Sequence, residues 1–292
     1  MALQINTFSI VAYDPVENSW GVAVASKFLA VGAVVSWAQA GAGAVATQSF
    51  AKLTFGPDGL ALMAQGMSAR ETLDKLIAAD PLQHQRQVGF VDAQGGAAAH
   101  TGSACYDWAG HKIGEGFTCQ GNILAGPQVI EAMAETFVTA RGELSDRLIA
   151  ALVAGEEAGG DRRGKQSAAV LVVKPNGGYG GDNDRYLDLR VDDDPQAVRK
   201  MIKLVNTHHL YFSKPRQDEM MPITEELVRE IQSWLLKGEY IRTEPSGNWD
   251  EDAKKAFWEL VGSENLEERW SLETADQIDR ITLDYLREKF GN

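Results

Sequence analysis

The sequence predicts an α+β protein in two parts. Residues 1–212 read as antiparallel sheets with helices on their outer faces, and residues 213–292 as a small all-α module of three helices. Three observations lead there. Runs of β type come in groups joined by turn signals, in the order strands, two helices, strands, two helices, strands, one helix. The regular strand–helix alternation that a doubly wound nucleotide fold requires is missing. Composition also changes along the chain: Gly and Ala are abundant before residue 182, whereas Pro215 to Asn292 is rich in Trp, Glu and Leu and carries 10 Lys or Arg against 19 Asp or Glu.

The first run, Thr7 to Tyr13, ends at the turn signal Asp14-Pro15, and Trp20 to Ser26 alternates small and large residues, as expected of a strand returning in a hairpin. Val31 to Trp37 and Gly43 to Gln48 read as two more β-type runs around Gly41. The period then lengthens. Leu60, Met63, Ala64 and Met67, then Leu73, Leu76 and Ile77, fall at helical spacing, interrupted near Gly66-Met67-Ser68. Ser68 and Glu71 have the spacing of a capping box for the second helix, and Asp80-Pro81 ends it. Strands follow at Gln87–Asp92, Ala97–Thr101 and Phe117–Asn122, then helices from Pro127 to Val138 and from Leu144 to Ala154. Strands at Gln166–Lys174 and Tyr186–Val191 precede a helix opened by Asp194-Pro195 and running to His208. In the tail, Pro222–Leu236, Trp249–Val261 and Ala275–Phe290 each carry one apolar stripe, enough for a three-helix bundle.

Composition narrows the function. With 28 Lys or Arg against 41 Asp or Glu, the chain has a formal net charge of −13 and no basic run that would neutralise phosphates, so neither nucleic acid nor an anionic membrane is an expected partner. Cys105 and Cys119 are too few for a disulfide framework and have no second pair at zinc spacing. Met1 to Phe8 lacks the charged and apolar regions of a signal peptide, and no stretch approaches the roughly 20 apolar residues of a membrane span. A reduced, cytoplasmic, soluble protein is expected, with a small or cationic ligand, or another protein, as partner.

Several motifs have simpler structural explanations. Ala40-Gly41-Ala42-Gly43-Ala44 lacks the third glycine of a dinucleotide loop and reads as a tight turn. His208-His209 diverge on a helix and suit its C-terminal dipole, and Asp192-Asp193-Asp194 suits a helix start, so neither predicts a metal or cofactor. Polar residues at the ends of apolar strands are harder to explain away. Ser26-Lys27, Thr47-Gln48, His100-Thr101, Gln120-Gly121-Asn122 and the charged loop Gly159 to Ser167 each place hydrogen-bonding groups where burial demands partners. Together they predict one polar cleft.

Thr7-Phe8-Ser9-Ile10-Val11-Ala12, Gly21 to Gly32 (with Ala25-Ser26-Lys27-Phe28), Ala46-Thr47-Gln48, Ala99-His100-Thr101-Gly102, Gln120-Gly121-Asn122 and Gly159-Gly160-Asp161 through Gln166-Ser167 resemble, in order and over residues 5–210, the domain of unknown function 1028 family. That family is grouped with the N-terminal-nucleophile hydrolases, so the resemblance implies a four-layer αββα sandwich. It also implies roles. Thr7 is the matching nucleophile, Lys27 would lower its pKa, Asn122 and the Gly121 N–H would hold the oxyanion, and His100 and Asp161 would orient or exchange protons. Ser9, Ser26, Gln48, Thr101, Gln120, Gln166 and Ser167 would bind substrate. The tail, with Trp234, Gly247-Asn248-Trp249-Asp250 and Glu264 to Arg269, is similar to a peptidoglycan-binding domain often appended to the family.

Chemistry of this class uses the free α-amine of the nucleophile as base, but six residues precede Thr7 here. A precursor, a side chain such as Lys27 or His100 acting in place of the amine, and a scaffold that only binds remain open, and the unprocessed start favours the latter two. The leading expectation is an amidohydrolase acting on a small amide or peptide, with cell-wall fragments among its substrates; the alternative is a non-catalytic small-ligand-binding protein. A homo-oligomer, in the simplest case a homodimer, is expected. Trp234, Trp249, Trp258 and Trp270 are expected to pack inward as bundle core; exposed, they would instead point to ligand binding.

Overall fold

The computed structural model describes residues 7–291, so the expectations resting on Met1 to Asn6 lie outside the described residues. The chain forms two compact units, Met1–Val205 and Asn206–Asn292. The division falls inside the last helix predicted for the first region, rather than after it.

In the first unit the elements are β1 (Thr7–Asp14), β2 (Ser19–Ser26), α1 (Gly32–Val35), β3 (Ser36–Gln39), β4 (Gly43–Ser49), α2 (Phe55–Ala64), α3 (Ala69–Ala78), β5 (Arg86–Asp92), β6 (Ala97–Thr101), β7 (Gly110–Gly114), β8 (Phe117–Gly121), α4 (Gln128–Thr139), α5 (Leu144–Glu157), β9 (Ser167–Val173) and β10 (Arg185–Val191), with α6 (Ala197–Phe212) crossing the division. Among the described residues they build a six-stranded sheet, β10-β9-β2-β1-β8-β7, and a four-stranded sheet, β3-β4-β5-β6. All pairings are antiparallel.

Alternation along the strands decides the layers. Phe8, Ile10 and Ala12 of β1 pack with Met133 of α4, Leu148 of α5 and Met201 of α6. Val11 on the opposite face joins Trp20, Val22 and Val24 of β2 with Ala44, Ala46 and Val91 of the other sheet. That second sheet turns Val45, Val88 and Phe90 toward Phe55 and Leu60 of α2 and Leu73 of α3. Two sheets therefore face each other, with helices against their outer sides.

The predicted β1–β2 hairpin is present in register from Thr7↔Ser26 to Asp14↔Ser19. The Ser68–Glu71 capping box forms at α3, with the Ser68 side chain accepting from the Glu71 N–H. Gly41 and Gly43 sit at φ +73° and +143° in the turn between β3 and β4, as the tight-turn reading requires. Val31 to Trp37 differs from its β-type reading. Its centre is the single turn α1, set up by Ala30 at φ +52° and by Ser167 Oγ, which accepts the Val31 N–H, before the chain becomes extended at β3. β7, flanked and terminated by glycine, carries no apolar run and gave no periodic signal.

Arg86 anchors the start of β5. Its Nε donates to Asp80 at 2.7 Å and its Nη1 to the Phe50 carbonyl, while the Leu82 N–H donates to the other Asp80 oxygen. Burial alone would raise the Asp80 carboxyl; the Arg86 and Leu82 donors outweigh it and hold the group below its ordinary value. A carboxyl lowered on folding stabilises above its unfolded pKa, and that stability is lost as pH falls through the folded value. The gap in thermal midpoint between the parent and Asp80→Asn is thus expected to be largest near neutrality and to shrink on acidification. A gap independent of pH would refute this role.

The second unit contains the three predicted helices, α7 (Glu225–Lys237), α8 (Glu251–Ser263) and α9 (Arg280–Phe290), but it is not all-α. A two-stranded ribbon pairs β11 (Met220–Pro222) with β12 (Gln277–Asp279). The segment from Ala275, predicted as helix, therefore becomes helical only at Arg280, where Asp279 accepts the Ile281 and Thr282 N–H groups as N-cap. Trp234 and Trp270 are buried, and the part-buried Trp249 and Trp258 pack on the same cluster, with Trp270 edge-on to Phe257 at 4.8 Å. The four indoles serve as core.

Candidate functional site at one end of the six-stranded sheet

Six of the residues singled out in the sequence, Thr7, Ser26, Lys27, Asp161, Gln166 and Ser167, meet at one end of the six-stranded sheet. Register places Thr7 beside Ser26, and Ser26 beside Ser167, across β1, β2 and β9. Directly opposed residues of an antiparallel pair share a face, so the three hydroxyls form a row. Thr7 Oγ1 donates to Ser26 Oγ at 3.2 Å. The Thr7 carbonyl accepts the Asn122 N–H at 3.0 Å and Gln48 Nε2 at 3.3 Å. Beyond Ser26, the Lys27 N–H donates to Asp161, and the Gln166 N–H donates to the Ser26 carbonyl. The Lys27 residue itself is exposed.

Asp161 is a clamp. Its buried carboxylate takes Arg163 through Nε, Nη2 and the backbone N–H as well as the Lys27 N–H, so its lone pairs are committed to holding the 159–167 loop against β2. Gly159, Gly160 and Gly164 reach φ +120°, +51° and +116° in that loop. Between the loop and the sheet lies a cavity of about 350 Å³ whose lining includes Phe8, Ser26, Asp161, Arg162, Gln166 and Ser167.

The remaining polar residues are interior. Ser9, Gln48, Gln87, Gln120 and Asn122 are each 0% exposed and bond to one another between the two sheets. Ser9 Oγ donates to Gln48 Oε1 and receives Gln120 Nε2, both at 2.6 Å. Gln87 Oε1 accepts Gln48 Nε2 and Asn122 Nδ2, both at 2.9 Å, while Gln87 Nε2 reaches Thr101 Oγ1 at 3.0 Å and the Gly121 carbonyl at 2.7 Å. A Cβ on Gly89 would come within 2.3 Å of Gln120 Oε1, so glycine there leaves room for the network. Ser9, Gln48 and Gln120 thus lie in a buried hydrogen-bonded layer, not on a cleft wall. Such a layer orients the strand ends that bear Thr7 and Asn122.

His100 is not brought to Thr7. On β6 it follows the outward alternation of Ala98, and its Nε2 meets the Gln83 carbonyl at 2.9 Å. Neither cysteine is a nucleophile candidate, because burial pushes the thiol pKa of both Cys105 and Cys119 upward, away from the reactive thiolate. Sequence reasoning missed Gln87, whose place in an apolar strand was the available signal, and named Arg162 only as part of the charged 159–167 loop. It also missed two strained residues at this end, Ser49 at φ +65° and Ile123 at φ +51°. A β-branched residue rarely adopts that conformation, and such strain concentrates at functional sites.

These features define a class: an antiparallel two-sheet α/β domain with a polar strand-end site, followed by a small, mainly helical unit. Residues 7–201, more than half of the chain, match the family described as "Family of unknown function (DUF1028)", and the chain belongs to that family. Residues 211–286 match the family described as "Putative peptidoglycan binding domain". Among solved structures, a Silicibacter pomeroyi protein of the same family is 29% identical, with a TM-score of 0.64 over 72% of this chain and 94% of that one. Among curated proteins none matches. No helix among the described residues is long and apolar enough to cross a membrane.

Proposed function

We propose that the first unit is an amide hydrolase of the N-terminal-nucleophile type, with Thr7 as nucleophile, and that the chain in which Thr7 is still amide-linked to Asn6 is its latent form. The observation that carries this is the Thr7 hydroxyl at the head of β1, bonded to a Ser26 that itself lines the 350 Å³ cavity. The reading takes the two sheets and their outer helices as the αββα sandwich of that class. Once the α-amine is free, it accepts the Thr7 proton as Oγ1 attacks the substrate carbonyl, then passes that proton to the departing nitrogen. Water cleaves the resulting ester, releasing the acid and regenerating Thr7. In the latent form the nitrogen is a non-basic amide and the hydroxyl has only Ser26 as its hydrogen-bond partner among the described side chains. The match of the second unit to a peptidoglycan-binding family supports cell-wall-derived peptides as the substrate source.

The test compares three proteins on a panel of short acyl-amides: the full chain, a protein released from a fusion so that it begins at Thr7, and the same protein with Thr7→Ala. Hydrolysis is expected only from the Thr7-initiated protein, by at least about a hundredfold over the alanine variant, the low end of what a positioned base supplies. Equal rates would refute the reading. A second reading, ligand binding without hydrolysis, is favoured by the complete burial of Thr7. It predicts that panel members bind and none is cleaved.

A further inference from the structure

The cavity beside Ser26 has a chemical character that narrows its ligand. Its rim carries charges of both signs, but they are unevenly matched. Asp161 is paired with Arg163 at 2.7 Å and Glu156 with Lys165 at 2.8 Å. Arg162, which also lines the cavity, is exposed and has no ion-pair partner among the described residues. Its backbone is fixed, because the Arg162 N–H donates at 3.0 Å to the carbonyl of the strained Ile123. In a chain of net charge −13, one uncompensated cation at a cavity mouth is a local attraction for an anion, since repulsion from distant carboxylates is screened beyond about 10 Å.

Part of the lining is apolar. Phe8, Ala25, Ala197 and Val198 are each no more than 3% exposed and meet the cavity. Alanine at two of these positions leaves room for a small side chain, and a volume of about 350 Å³ is near the lower limit for ligand sites, which suits a short molecule and not a polymer strand. Ser26, Gln166 and Ser167 also line the cavity, with the Ser167 hydroxyl donating to the Phe28 carbonyl and Gln166 Nε2 donating to Asp193, so the charge of Arg162 is the polar feature left for a ligand.

We infer that this cavity takes a short peptide amide bearing a free carboxylate next to a small aliphatic side chain, and that Arg162 reads the carboxylate. A planar guanidinium matches a carboxylate through two parallel N–H···O bonds, which neither a lysine nor a neutral amide reproduces. This rests on the cavity being the substrate site of the reading above and names the substrate class.

The experiment is calorimetric titration of the full chain with N-acetyl-alanyl-alanine and with the C-terminal amide of the same peptide. The acid is expected to bind at least about tenfold more tightly than the amide, the equivalent of one charge-assisted contact. Arg162→Gln is expected to bring the acid down to the amide's affinity while leaving the amide and the thermal midpoint unchanged. Lys165→Gln should preserve the preference. No binding of the acid, equal affinities in the parent, or a preference surviving in Arg162→Gln would each overturn the inference. Because binding is read on the uncleaved chain, the two readings fail separately. Selective binding without hydrolysis by the Thr7-initiated protein sinks only the hydrolase, whereas hydrolysis without carboxylate preference sinks only the Arg162 assignment.

Discussion

Gln87→Leu is expected to lower the stability of the first unit by about 3 kcal/mol, since each buried polar group left unpaired costs about 1–3 kcal/mol. Gln87 is fully buried and joins both sheets: its carbonyl oxygen receives Gln48 and Asn122, and its amide nitrogen reaches Thr101 and the Gly121 carbonyl. Leucine preserves the volume approximately but leaves the Gly121 carbonyl and an Asn122 amide hydrogen without these partners. The measurement is urea unfolding followed by hydrogen exchange, which reads each unit separately. The Asn122 N–H, bonded to the Thr7 carbonyl, should exchange faster in the variant even below the unfolding transition. A loss under about 0.5 kcal/mol, the scale of a neutral surface change, would show that the network is not a structural support for the strand ends.

Arg269→Met is expected to cost the second unit about 3–5 kcal/mol, the range seen when one member of a buried ion pair is removed. Arg269 and Asp279 are 3% and 0% exposed and meet at 2.6 Å. The same guanidinium donates to the carbonyls of His209 and Ser213, and the Asp279 carboxylate also caps α9 and receives the Thr282 hydroxyl. Methionine can fill the space but strands a buried carboxylate and two carbonyls. Adding Asp279→Asn removes the stranded charge while retaining a side chain that caps, so the double variant should recover part of the loss. Fluorescence of Trp270, adjacent in sequence and packed on Phe257, reports this transition. Equal stability of the single variant and the parent would refute the pairing.

Legibility in the sequence followed the range of the interactions. The β1–β2 hairpin and the α3 capping box were readable because turn residues, alternation and the Ser68–Glu71 spacing are local signals. Val31–Trp37 misled because its apolar content is shared by a strand and a buried turn, and the choice was made by Ser167, far along the chain. β11 and β12 are three residues each and exist only because Met220 to Pro222 meets Gln277 to Asp279 across the whole unit. The candidate site divides in the same way. Ser26 and Ser167 stood out as polar residues at strand ends and Thr7 came from the family resemblance, but only register aligned the three.

By itself, the sequence determined the two-part α+β organisation, the acidic character, the strand-end positions of the polar residues and the family resemblance. Tertiary structure alone decided that Gln48, Gln87 and Gln120 share a buried hydrogen-bonded layer, that His100 is bonded to Gln83 rather than brought to Thr7, and that Arg162 rather than Arg163 or Lys165 is left with an unmatched charge. The reason is physical. Periodicity and composition report which groups a segment must bury or expose, whereas partnership between buried polar groups depends on which strands lie side by side, and that is set by contacts between residues distant in the chain.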